Sequence, residues 1–91
     1  MAEGYWNNHV TTIAVQQSTG EIQPNSGTSV YINYTVPSGK KAIMAVAKET
    51  TGANLFPVWL TYFNNSEAAV KVANFRTSAY TGTIELNILC Q

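Results

Sequence analysis

Nucleophilic and acid–base chemistry draws on a short set of side chains, and this sequence holds few of them. Its one histidine is His9 and its one cysteine is Cys90. A Ser-His-acid or Cys-His arrangement would have to be built on His9, which reads more simply as a partly exposed residue at the start of a strand. Cys90 shares the parity of Ile84, Leu86 and Ile88, so it reads as a small buried hydrophobe. A reactive thiol would need a basic neighbour, and none is close in sequence. Every acid is a Glu, at Glu3, Glu21, Glu49, Glu67 and Glu85. They stand apart, most of them in expected loops as solvated turn residues, with Glu85 at an outward strand position. Glycoside hydrolysis needs two carboxylates across a cleft, calcium needs clustered oxygen ligands, and zinc needs Cys/His sets. None of these sets is written here. The inventory reads as a non-enzyme without metal or cofactor.

The chemistry that remains is neutral recognition. Thr, Asn and Ser number 11, 9 and 6, against ten charged residues. Sugar rings present flat C–H faces and many hydroxyls, so a neutral glycan site combines Trp or Tyr platforms with Asn, Thr or Ser. The residues that answer this description are Trp59, Tyr62, Asn64 and Asn65, in and just after one apolar strand, together with Tyr31 and Asn33. The last two serve equally well as intersubunit contacts.

These side chains need a scaffold, and the composition points to strands. Thr fits a pleated, half-buried surface, while Asn and Ser favour turns. A chain of 91 residues allows one domain: a polar arm over residues 1–8 and a single sandwich over residues 9–91. The formal net charge is zero, which lacks the footprint of a nucleic-acid binder. No apolar run approaches a membrane span, and the first ten residues lack the regions of a signal peptide.

Strands are expected at His9–Gln16, Thr28–Val36, Lys41–Lys48, Leu55–Phe63, Ala68–Phe75 and Thr83–Leu89. The clearest is Thr28–Val36, where Val30, Ile32, Tyr34 and Val36 alternate with Tyr31, Asn33 and Thr35. In Lys41–Lys48, Ile43, Ala45 and Ala47 alternate against Met44 and Val46; a helix over Ala42–Glu49 is the alternative, because Ala, Met and Lys are good helix formers. Ser18–Gly27 reads mostly as turn, with brief pairing at Glu21–Gln23. Pro57 places its strand at an edge or a bulge. The expected fold is an all-β antiparallel sandwich of six to seven strands.

Leu55–Phe63 carries an excess. By strict alternation Phe56, Val58, Leu60 and Tyr62 share one face and Leu55, Trp59 and Phe63 the other, so both faces are apolar. An antiparallel sheet of a sandwich normally has one buried and one wet face. Leu55, Trp59 and Phe63 are therefore the candidate oligomer contacts. Three covers are open: another copy of the chain, a ligand stacked on the aromatics, or the N-terminal arm with Tyr5 and Trp6 folded back over Trp59.

Four stretches carry a family resemblance: Pro24-Asn25-Ser26; Val30–Val36 followed by Pro37-Ser38-Gly39-Lys40-Lys41-Ala42-Ile43; Ala69-Val70-Lys71-Val72-Ala73-Asn74-Phe75; and Thr81–Cys90. Over about residues 20–91 the chain resembles the C-terminal domains of tail-fibre, baseplate and receptor-binding proteins of phages and prophages, and more loosely H-type-lectin-like sandwiches. The resemblance implies a homotrimer that binds a host-surface glycan or protein, is made in the host cytoplasm and resides in the virion. It fixes no binding residue by position. No shaft or collagen-like repeat precedes the domain, so the chain is either a tip domain or a small free-standing protein. Two rivals stand beside this reading: a purely structural virion or tail-assembly subunit, and an immunoglobulin-like spacer of a bacterial surface protein.

Overall fold

The structure, a computed structural model, describes residues 10–50 and 56–91. The expected arm at residues 1–8, His9 and Leu55 lie outside the described residues. Six strands form: β1 (Thr11–Ile22), β2 (Ser26–Asn33), β3 (Ala42–Glu49), β4 (Val58–Phe63), β5 (Glu67–Asn74) and β6 (Tyr80–Cys90). They build two three-stranded antiparallel sheets, ordered β1-β6-β3 and β2-β5-β4. The sheets pack together as a small sandwich, which is the expected all-β fold. Ala42–Glu49 is a strand, not a helix. Pairing with β6 along its length overrides the helical preference of its residues.

The central strands supply most of the core. Ile84, Leu86, Ile88 and Cys90 of β6 are fully buried and share one cluster with Ala68, Val70 and Val72 of β5 and Val30 and Ile32 of β2. Each large aliphatic side chain taken from water contributes about 1.5–3 kcal/mol. Cys90 is free and buried, in the role its parity gave it. Four of the five connections cross between sheets, and only β4–β5 is a hairpin within one. Side-chain amides pin the crossings. Asn74, itself fully buried, donates from Nδ2 to the carbonyls of Ile22 (2.9 Å) and Ser78 (3.0 Å), and its Oδ1 accepts the N–H of Arg76 (2.9 Å).

Three bulges correct the expected phases, because each adds one residue to a strand and exchanges its faces beyond that point. In β1 the register shifts between Ser18 and Glu21, with Gly20 at φ +71°. Ser18–Gly27, expected mostly as turn, is thus largely strand; only residues 23–25 turn, around Asn25 at φ 56°. In β3 the shift falls between Ala42 and Met44. It turns Ile43 out to 44% exposure, while Ala42, Ala45 and Ala47 pack on the core. In β4 the shift falls between Leu60 and Tyr62. Phe63 therefore joins Val58 and Leu60 against the core and Tyr62 turns outward beside Trp59, the reverse of strict alternation. Pro57 lies at the entrance to an edge strand, and its carbonyl accepts the N–H of Ala73. Glu21, Glu49 and Glu67, expected in loops, stand in or at the ends of strands.

Candidate binding face

Among the described residues nothing packs on the outer face of sheet β2-β5-β4, whose composition follows from its register. Ser29 of β2 and Trp59 of β4 both stand opposite Lys71 of β5. One step along, Tyr31 and Tyr62 both stand opposite Ala69, and beyond them Asn33 stands opposite Glu67. Directly opposed side chains in neighbouring strands lie about 5 Å apart at Cβ. The three aromatics consequently form one platform over the central strand. Tyr31, Trp59 and Tyr62 are 57%, 46% and 44% exposed, yet outward-pointing Ala69 is only 3% exposed. Ala69 forms the floor between Tyr31 and Tyr62, and Lys71 stands beside Trp59 in the next row.

The platform is held in place. The Tyr62 hydroxyl donates to Glu67 Oε2 at 2.7 Å. This bond to the neighbouring carboxylate, ahead of desolvation and the nearby charge, raises the phenol's affinity for its proton above the usual tyrosine value. Thr61, the extra residue of the β4 bulge, donates from Oγ1 to the carbonyl of Ala69 at 3.0 Å. The bulge is thereby tied to the central strand, which keeps Tyr62 beside Trp59.

Of the candidate ligand residues, the structure brings Tyr31, Asn33, Trp59 and Tyr62 to this one face. Asn64 and Asn65 do other work. Asn64 Oδ1 accepts the N–H groups of Ser66 (2.8 Å) and Glu67 (2.9 Å) and the Ser66 hydroxyl (3.2 Å), shaping the hairpin turn. Its carbonyl, with that of Glu67, receives the hydroxyl of Tyr34. Tyr34 is buried, and desolvation is the main reason its hydroxyl holds its proton above the usual range. Asn65 Oδ1 accepts the N–H of Ala42 at 2.8 Å, tying the hairpin to the other sheet. Of the expected oligomer contacts, Trp59 is on the aromatic face, Phe63 packs inward, and Leu55 is outside the described residues.

Sequence reasoning missed Lys71, the centre of the face. Its signal was present: in Val70-Lys71-Val72 the lysine has outward parity between two core valines. It missed a second surface too. The outer face of β1-β6-β3 carries the rows Thr12–Leu89–Met44, Ala14–Asn87–Val46 and Gln16–Glu85–Lys48. Met44 and Val46 are exposed, and Lys48 Nζ pairs with Glu85 at 3.1 Å. That lysine holds the Glu85 carboxyl below the usual carboxylate range. The two outer faces thus differ in kind: one carries three aromatic rings, the other carries Met44, Val46, Leu89 and Ala14 among neutral polar groups, with its charges matched.

At the end of the sandwich where β6 begins, Phe56 stacks on Tyr80 (centroids 3.5 Å apart), and the Tyr80 hydroxyl is hydrogen-bonded to Glu49. Gly82 lies beside that pair, where a Cβ would overlap the Tyr80 hydroxyl. Among the described residues no group of three or more His, Cys, Asp or Glu side chains is arranged to hold a metal. No family model matches the chain, and no curated protein or solved structure matches it.

Proposed function

We propose that the protein is a non-enzymatic adhesion module, the receptor-binding tip of a phage or prophage tail fibre, which binds cell-surface saccharide through the outer face of β2-β5-β4. The observation that carries the reading is the platform of Tyr31, Trp59 and Tyr62, half-exposed on one sheet face and flanked by Ser29, Asn33 and Glu67. Aromatic rings offer C–H stacking surfaces, and the neighbouring groups supply hydroxyl partners. Rings anchored on strands are already ordered, so binding loses little side-chain freedom.

The same proposal has the chain self-associate, as a trimer in the domains it resembles. The aliphatic face of β1-β6-β3 suits that role. Met44, Val46, Leu89 and Ala14 offer no stacking surface for a sugar, and the matched Lys48–Glu85 pair sets no uncompensated charge against a second copy. Copies joined by this face would turn their aromatic faces outward, and multivalent display would multiply a weak single-site affinity.

The rival reading, a purely structural virion or tail-assembly subunit, is supported by the aliphatic face and requires the aromatic face to be covered by protein. A glycan array probed with wild-type protein and Trp59→Ala separates the two. Signal on saccharides that disappears in the variant, at unchanged sedimentation, supports adhesion. A blank array for the wild-type protein, with a trimer in sedimentation, favours the structural subunit. A spacer domain would sediment as a monomer.

A further inference from the structure

We infer that the saccharide this face takes is acidic, bearing a carboxylate or sulfate set against Lys71; the inference rests on the adhesion reading and narrows its ligand class. Lys71 is the one cation on the platform. It stands on the central strand, directly opposite Ser29 on one side and Trp59 on the other. Its neighbours of the same parity on β5 are Ala69 and Ala73, small side chains that leave its stem and ammonium uncovered, and Lys71 is exposed.

The other cations lie off this face. Lys48 is paired with Glu85, Arg76 lies over the Phe56 ring with 5.9 Å to the centroid, Lys40 donates to Thr11 Oγ1 at 2.9 Å, and Lys41 is exposed beside the other sheet, where its backbone bonds to Gln91. Glu67, the acid of the platform, lies four residues along β5 from Lys71, about 13 Å away on an extended strand, and Tyr62 occupies one of its oxygens. Among the described residues no carboxylate is ion-paired with Lys71. The platform therefore presents an unanswered positive charge beside an exposed indole ring. A sugar ring stacked on Trp59 would carry a ring carboxylate or sulfate to the Lys71 ammonium and hydroxyls toward Ser29 and Tyr31. Single-stranded nucleic acid also stacks on aromatics, but its backbone needs a groove lined by several cations, and this face has one.

The test is binding of the full chain to immobilised polygalacturonate, polysialate and dextran sulfate, with methyl-esterified polygalacturonate and dextran as neutral arms and oligothymidylate as the nucleic-acid arm. We expect at least one acidic polymer to bind about tenfold more tightly than the neutral arms, with the margin falling as salt rises. Lys71→Gln should erase that margin and Lys71→Arg should keep it. Preference among the three acidic polymers separates carboxylate from sulfate. Equal binding of acidic and neutral polymers, lost in Trp59→Ala but unmoved by Lys71→Gln, overturns the acidic ligand and leaves the saccharide face standing. Binding to oligothymidylate as tight as to any polysaccharide overturns it in favour of nucleic acid. No binding to any arm counts against both this inference and the reading beneath it.

Discussion

Trp59 and Phe63 are four residues apart on one strand, a spacing that strict alternation puts on a single face, yet they lie on opposite sides of their sheet. Phe63 packs on the core with Val58 and Leu60, while Trp59 stands at the surface with Tyr62. The cause is the extra residue between Leu60 and Tyr62 in the pairing with β5. The outward pair of aromatics, and with it the candidate binding face, exists because of that one irregularity.

Stability should therefore separate the two residues. Phe63→Ala removes a ring from the edge of the core and is expected to cost about 2–4 kcal/mol. Trp59→Ala removes a half-exposed ring and is expected to cost under about 1 kcal/mol. Urea unfolding followed by far-UV circular dichroism reads both. Equal losses would mean that β4 keeps simple alternation.

Asn74 is the fully buried polar residue that spans the two sheets. Asn74→Ala strands the carbonyls of Ile22 and Ser78 and the N–H of Arg76 and is expected to cost about 2–4 kcal/mol. Asn74→Asp keeps the acceptor for Arg76 but loses the donor, so it should not restore stability. Thermal melts of the three proteins check this; an unchanged midpoint in Asn74→Ala would contradict the pinning role.

Gly82 leaves the space that the Tyr80 hydroxyl and Glu49 fill. Gly82→Ala should destabilise by about 1–3 kcal/mol through overpacking. Adding Tyr80→Phe removes the overlapping oxygen, so the double variant should lose less than the sum of the two single ones. Strict additivity in a double-mutant cycle would show that the clash is absorbed elsewhere.

Both Tyr34 and Tyr62 hold their protons more tightly than an ordinary tyrosine, near 10. A folded-state value raised above the unfolded one contributes stability that is present below about pH 10 and lost as pH climbs through the raised value. Absorbance titration at alkaline pH should show Tyr34 and Tyr62 among the late phenols, and Tyr62→Phe should remove its own contribution. Glu85 runs the other way. Its lowered carboxyl contributes above the ordinary value of 4.5 and loses that contribution as pH falls through the lowered one, and Lys48→Met should remove most of the effect, Asn87 and Gln16 supplying the smaller remainder.

The sequence made some of this legible and hid the rest for identifiable reasons. Val30, Ile32 and Tyr34, and Ile84, Leu86, Ile88 and Cys90, alternate without interruption, and every one of them is buried as read. The bulges at Ile43 and Thr61 carry no compositional mark, and Gly20 at the β1 bulge marks a turn as readily as a bulge. A bulge changes phase without changing residue type, so Ser18-Thr19-Gly20 resembled a turn and β4 resembled a strand greasy on both sides. Sheet partition was not readable either, because it depends on which connections cross. Four candidate ligand residues gather on one face, since Tyr31, Asn33, Trp59 and Tyr62 occupy opposed or adjacent rows. Asn64 and Asn65 misled because an amide that suits a sugar hydroxyl equally suits a backbone N–H. On the aliphatic face the phase of Met44 and Val46 against Ala45 and Ala47 was readable, but the rows that join them to Leu89 and Ala14 depend on sheet partition.

The aromatic face is the proposed ligand surface, and the aliphatic face is the one proposed for self-association. Residue-resolved NMR shift mapping, with the saccharide that binds best added in steps, tests that division directly. The expected perturbations centre on Tyr31, Trp59, Tyr62 and Lys71, with Met44, Val46 and Leu89 unmoved. Shifts centred on Met44, Val46 and Leu89, with the Trp59 indole unchanged at saturation, would contradict it.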